Sequence, residues 1–154
     1  MTKQIDHLDK AILTVLDNNA RLSLAEIGKA VGLSGPAVGE RMKALRHKSI
    51  IDGFGVRLDM RALGYSIQAL VRIKPKSGQI RKVEKLISDE PRFMACDRVT
   101  GEDCLIARLA LRDIAELDDI MFPLHECADT NTSIVKSSLF EPRLPQINIS
   151  KAAR

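Results

Sequence analysis

Between Ser34 and Arg46 the chain reads SGPAVGERMKALR, a stretch whose residue types could do polar recognition. Ser34, Gly35, Pro36, Ala37 and Glu40 fall in its first half, and Arg41, Lys43 and Arg46 in its second. If the stretch is a helix, the free N–H groups at its start attract phosphate. Arg41, Lys43 and Arg46 can reach phosphates, and Glu40 can accept from an amino group such as that of cytosine. Ser23, at the start of the preceding segment, is another phosphate candidate. The plain alternative is that Ser23 and Ser34 only cap helices and the cations only solvate a face. Arg41 lies beside the expected buried stripe, which leaves a structural role open to it.

The elements that must hold these residues are legible by period. Ile5, Leu8, Ile12, Val15 and Leu16 recur at helical spacing, predicting a first helix over about 5–18. SLAE, Ser23 to Glu26, is a capping box that opens a second helix with Leu24, Ile27 and Val31 on one face. Gly32 suits a left-handed end, and Ser34 caps a third helix with Pro36 tolerated in its first turn. Val38, Met42 and Leu45 form its buried stripe. Pro36, Gly39, Glu40, Lys43 and His47 point the other way, so Gly39 is expected to leave a bare patch on the outward surface. IIDGFGVRL (50–58) is a Gly-rich hairpin candidate, and three helices plus a hairpin make a winged helix-turn-helix. The expected domains are 1–60, a linker at 61–65, a second domain over 66–141 and a tail over 142–154.

The second domain alternates element types. Strands are predicted over 66–75, 92–100, 103–111 and 131–140, and helices over 77–90 and 113–127. Asp113 is the expected cap of the last helix, and Pro123 is expected to kink or end it. The fold class is therefore α+β: a winged helix-turn-helix followed by a ferredoxin-like βαββαβ domain, its four-stranded antiparallel sheet covered by helices on one side. Leu70 and Phe140 are expected on the open face, where thin apolar cover invites a second copy.

Composition excludes several classes. The 154 residues are 45% apolar but only 3% aromatic, without Trp, so the core is aliphatic and a stacking platform for single-stranded RNA is disfavoured. The net charge of +4 is mildly basic, with ten Lys/Arg against seven Asp/Glu up to residue 64 and fourteen against thirteen beyond. Cys96, Cys104 and Cys127 form no CxxC pair, which fits a reducing cytoplasm; Cys96 and Cys104 are expected to be buried small hydrophobes. The start is polar and no apolar run reaches the ~18 residues a membrane span needs, so no membrane partner is expected. His7, His47 and His125 show no ligand spacing, and no catalytic or nucleotide motif appears. No metal, no cofactor and no enzymatic activity are expected.

Taken in order, Leu8-Asp9, Ile12-Leu13, Ala20-Arg21, Gly32-Leu33-Ser34, Arg41, Leu45, Ile51, Leu63-Gly64 and Val99-Thr100-Gly101 resemble the leucine-responsive/AsnC-type transcription regulators. The resemblance runs from about Ile5 to Leu139. It implies an N-terminal domain that binds double-stranded DNA and a C-terminal ligand-sensing domain. It also implies a homodimer joined through the sheets, assembling into a tetramer or octamer with a small amino acid bound between dimers. One departure is Ser49, where the family often has Gly.

The resemblance changes the reading of TGED. Taken by its residues, Thr100, Gly101, Glu102 and Asp103 are a hairpin turn. In this family the matching loop, with the last-strand region, lines the ligand cleft. Backbone N–H groups there would hold an α-carboxylate, Asp103 or Glu102 an α-ammonium, and Thr130, Thr132 and Ser133 would add hydroxyls. A small-molecule-binding oligomeric module without a DNA role is the alternative; an enzyme on the same scaffold lacks any nucleophile–base pair.

Overall fold

The computed structural model of the chain describes residues 5–147. They form two compact units, one running to Val56 and including the segment from Phe140 on, the other spanning Arg57–Leu139.

The first unit holds three helices, α1 (His7–Asn18), α2 (Leu24–Val31) and α3 (Gly35–His47). Each starts on a side-chain cap. Asp6 and Asp9 form a reciprocal capping box at α1, which the sequence reading had passed over, and Ser23 and Glu26 form the expected one at α2. Ser34 Oγ accepts from the Ala37 N–H at 3.4 Å. Gly32 ends α2 at φ 73°, a left-handed conformation that costs glycine nothing. Ile12, Leu16, Ile27 and Val38 are buried together, with Val15, Val31 and Met42 packed around them.

Residues 50–58 depart from expectation. No strand pairing is present there, so the expected hairpin is not formed and the segment is irregular. Two glycines in so short a stretch weaken both arms, and an isolated two-stranded ribbon is marginal in water. Just before it, Ser49 takes φ 51° as its N–H bonds the Arg46 carbonyl. A Cβ in that region costs about 1–2 kcal/mol, partly returned by glycine's larger unfolded entropy. Ser49→Gly is expected to raise the denaturation midpoint, a gain of up to about 1 kcal/mol by urea titration; unchanged or lower stability would contradict the strain.

The second unit runs β1 (Ile67–Pro75), α4 (Ile80–Asp89), β2 (Phe93–Arg98), β3 (Leu105–Leu111), α5 (Glu116–His125) and β4 (Ala128–Ile134). The strands order β2-β3-β1-β4, all antiparallel. Ala69, Val71, Ile73, Leu105, Ala107 and Leu109 face a helix layer that buries Val83, Ile87, Ile120, Met121 and Leu124.

Four features differ from expectation in ways that matter. The last strand is earlier than expected and stops at Ile134, so Phe140 is not on the sheet; it lies under the Arg143 guanidinium, 4.6 Å from ring centre to cation. The open sheet face carries Leu70 beside Arg72, Lys74 and Arg108, and is more polar than expected. Asp113 does not cap α5; its carboxylate accepts from Ala115 N–H, and Glu116 accepts from Arg112 N–H. Pro123 sits inside α5, which continues to His125.

Candidate functional site

The outward stripe of α3 is where the residues that could meet a polymer converge. Val38 and Leu45 turn inward and are fully buried, which leaves Pro36, Glu40, Lys43, Arg46 and His47 exposed, with Ser34 exposed at the cap. Gly35 and Ala37 are only half-buried. Ser23 is exposed, but its hydroxyl and N–H both bond the Glu26 carboxylate at 2.7 Å, the capping function in force.

Gly39 does not leave the outward patch that was expected of it. A Cβ there would lie 3.2 Å from Leu24 Cδ1, so the glycine allows α2 and α3 to approach. Gly28, which the sequence reading missed, is more constrained still. It is buried, and a Cβ would collide with the Leu33 carbonyl oxygen in the turn between the two helices. A glycine inside a helical pattern costs about 1 kcal/mol against alanine, and that unexplained cost was the available signal.

Two cations on α3 have acidic partners. Lys43 donates to Glu40 at 2.7 Å, and this hydrogen bond holds its ammonium above the ordinary lysine value. Both side chains are about three-quarters exposed, so the pair opens readily to another anion. Arg41 is held differently. Its Nη1 donates to Asp6 Oδ2 and Asp9 Oδ1, each at 2.7 Å. Burial tends to raise the Asp6 carboxyl, but the Asp9 N–H and Arg41 outweigh it and hold it below the usual value. The same hydrogen bonds push Arg41 up.

In the second unit, Thr100–Asp103 lie in the connection between β2 and β3, with Thr100, Gly101 and Glu102 exposed and Asp103 half-buried; Gly101 is at φ 120° and Cys104 after it at φ 60°. The pairing row Arg98–Leu105–Ile73–Thr130 crosses the sheet just beside this loop. Thr130 therefore lies at the loop's end of the sheet, separated from β3 by β1 alone. Thr132 is one step further away, opposite Val71, on the same helix-covered face. Ser133 pairs with Leu70 and points to the open face. Within one chain the three hydroxyls do not converge, because side chains alternate faces along a strand. A cavity of about 440 Å³ opens elsewhere, between α4 and β2, lined by Glu84, Ile87, Phe93, Met94, Cys96 and Arg98 among others and by none of the expected effector residues. Cys96 and Cys104 are exposed and not buried as expected; only Cys127 is in the core.

Comparison with known proteins decides what such a pair of units is. Residues 5–46 match the AsnC-type helix-turn-helix domain, and residues 68–145 match the Lrp/AsnC ligand binding domain. The chain belongs to the Lrp/AsnC family of transcriptional regulators. Among its Lrp/AsnC relatives, the HTH-type transcriptional regulator LrpA of Pyrococcus horikoshii is 32% identical over 117 residues, 76% of this chain and 83% of that one. The regulator FL11 of the same organism is 29% identical over 138 residues, 88% of this chain and 91% of that one. LrpC of Bacillus subtilis superposes with a TM-score of 0.86 at 24% identity, covering 91% of this chain and all of that one. A transcriptional regulator from Neisseria meningitidis, solved as a complex with L-Met, gives 0.85 at 23% identity over 92% and 97%. The Lrp/AsnC architecture is thus the α+β one, a helix-turn-helix followed by a four-stranded antiparallel sheet with helices. Among the described residues no helix is long and apolar enough to cross a membrane, and no cluster of three or more metal-ligating side chains is present.

Proposed function

We propose that this protein is a DNA-binding regulator that grips duplex DNA with α3 and answers to a small amino acid through the loop at Thr100–Asp103. One observation carries the first half: α3 is anchored by Val38 and Leu45 while Pro36, Glu40, Lys43 and Arg46 stand free of the core on its other side. Such a helix is shaped for a major groove, its start near bases and its cations near phosphates. Ser23, Ser34, Gly35 and Ala37 complete the contact surface, the serines by bringing helix N-termini to the backbone.

For the effector, support comes from the fold and the loop. Neighbours of the same fold have been solved with L-Met and L-methionine. Gly101 exposes backbone N–H groups to an α-carboxylate, and Glu102 and Asp103 offer an α-ammonium its counter-charge. Thr130 lies at that end of the sheet, and Ser133, on the open face, serves the same site across a boundary between copies, while Thr132 points to the helix-covered face. We take the working form to be a homodimer that assembles into a tetramer or octamer in the cytoplasm, with no cofactor and no catalytic step.

The test is fluorescence anisotropy of the full chain on duplex DNA between 50 and 200 mM salt. Several phosphate contacts predict a loss of orders of magnitude across that range. Absent or salt-insensitive binding would overturn the reading in favour of a ligand-binding module. Lys43→Ala is expected to weaken binding to all duplexes alike and to lower the salt slope by about 0.9. A loss confined to one sequence would contradict the phosphate role.

A further inference from the structure

We propose that Arg41 is a positioning residue: it pins the recognition helix α3 to the N-terminus of α1 and does not bind phosphate itself. The inference rests on the DNA-binding reading and assigns a different task to one of its cations.

The geometry is reciprocal. Asp6 Oδ1 accepts from the Asp9 N–H at 2.8 Å, and Asp9 Oδ2 accepts from the Asp6 N–H at 3.2 Å. The remaining oxygen of each carboxylate accepts from Arg41 Nη1. That nitrogen has two hydrogens, and both are engaged. Each carboxylate thus joins a helix cap on one side to α3 on the other. Residues 32 and 35 positions apart are tied by charge-assisted bonds at 2.7 Å.

Charge bookkeeping points the same way. Two carboxylates surround one guanidinium, so the cluster carries net −1 and repels phosphate. Asp9 is buried, only 7% exposed, and without Arg41 its charge would be stranded in a poorly solvated place. Lys43, with one exposed acidic partner, has no such anchor. Arg41 also lies on the half-buried flank of α3, next to the Val38–Met42–Leu45 stripe. Removing the pin would let α3 rotate or slide on its apolar contacts, misplacing the groups meant for base edges.

The full-length protein is titrated against a duplex that the wild type has selected from a random pool, and against a scrambled duplex. Wild-type binding and its salt slope check the underlying reading independently of Arg41. Arg41→Gln is expected to lower affinity for the selected duplex at least tenfold, with little change on the scrambled one and an unchanged salt slope. A uniform loss with a slope lower by about 0.9 would make Arg41 a phosphate contact and overturn the proposal. Wild-type-like affinity of Arg41→Gln for both duplexes, at a temperature where the variant is folded, would reduce Arg41 to a purely structural residue and also overturn it.

Asp6→Asn is the second variant. Asn caps helices as well as Asp, and the Asp9–Arg41 bond remains, so folding is preserved. Removing a negative charge near DNA should by itself tighten binding. The pin predicts the opposite sign, weaker binding to the selected duplex. Tighter or unchanged binding by Asp6→Asn would overturn the inference. The double variant is expected to bind no worse than Arg41→Gln alone, since both changes break one unit.

Discussion

Gly28→Ala is expected to unfold the helical unit or leave it without DNA affinity. The substitution adds one methyl and even improves helix propensity by about 1 kcal/mol. Yet the methyl would enter the space of the Leu33 carbonyl, and the turn backbone at Ser34 lies close behind. The obstacle is main chain, so no rotamer change relieves it. The same turn donates the Leu33 N–H to the Gly28 carbonyl at 2.9 Å, so moving the turn away also breaks the end of α2. Overpacking of this kind costs about 1–3 kcal/mol, and more where backbone must shift. A destabilisation of about 3 kcal/mol by chemical denaturation is the expected result. A gain in stability, as helix propensity alone would give, would show that the α2–α3 turn is not this close.

Gly101→Leu is expected to abolish the response to amino acids while the sheet stays folded. Gly101 sits at φ 120°, where an L side chain is strained by about 1–3 kcal/mol. No atom lies within 4 Å of its would-be Cβ, so the side chain meets no collision and the cost is conformational. The loop relieves the strain by rotating its peptide groups, which moves the N–H groups proposed for the carboxylate. Because Gly101 is exposed in the connection between β2 and β3 and is not part of the buried core, the circular-dichroism melt should shift by only a few degrees. Calorimetry against leucine and methionine should show at least a tenfold loss of affinity relative to the wild type. Wild-type-like binding by the variant would remove Gly101 from the effector site.

The two substitutions differ in what their glycines reveal. Gly28 is needed for space and Gly101 for backbone angle. Neither requirement is visible in a helical period or a strand alternation, because both depend on where another part of the backbone runs. The turn residue at Gly32 is different: it follows an apolar stripe that stops, and its left-handed conformation was foreseeable from that alone.

Local chemistry was the readable part. Ser23 with Glu26, Ser34 with Pro36, and the stripe Val38–Met42–Leu45 act over three to four residues, so their spacing in the chain predicts their contacts. The alternation Ile67–Ala69–Val71–Ile73 likewise placed β1 with one face buried. The order of elements then allowed few topologies besides a βαββαβ sheet, since connections are short and do not cross.

What the chain alone could not settle involves partners distant in sequence. Leu70 and Phe140 looked like companions by alternation, but β4 ends at Ile134 once its pairing with β1 runs out at Ala69. Thr132 and Ser133 are neighbours in sequence and face opposite sides of the sheet, so only the register could separate them. Arg41 could be read as lying beside the buried stripe, with a structural role open to it, but its partners Asp6 and Asp9 were set only by folding. A helix's existence and its apolar side follow from interactions within a few residues, which the sequence by itself determines. Which charge meets which, and how closely two backbones approach, depends on contacts made across dozens of residues, and only the tertiary structure decided them.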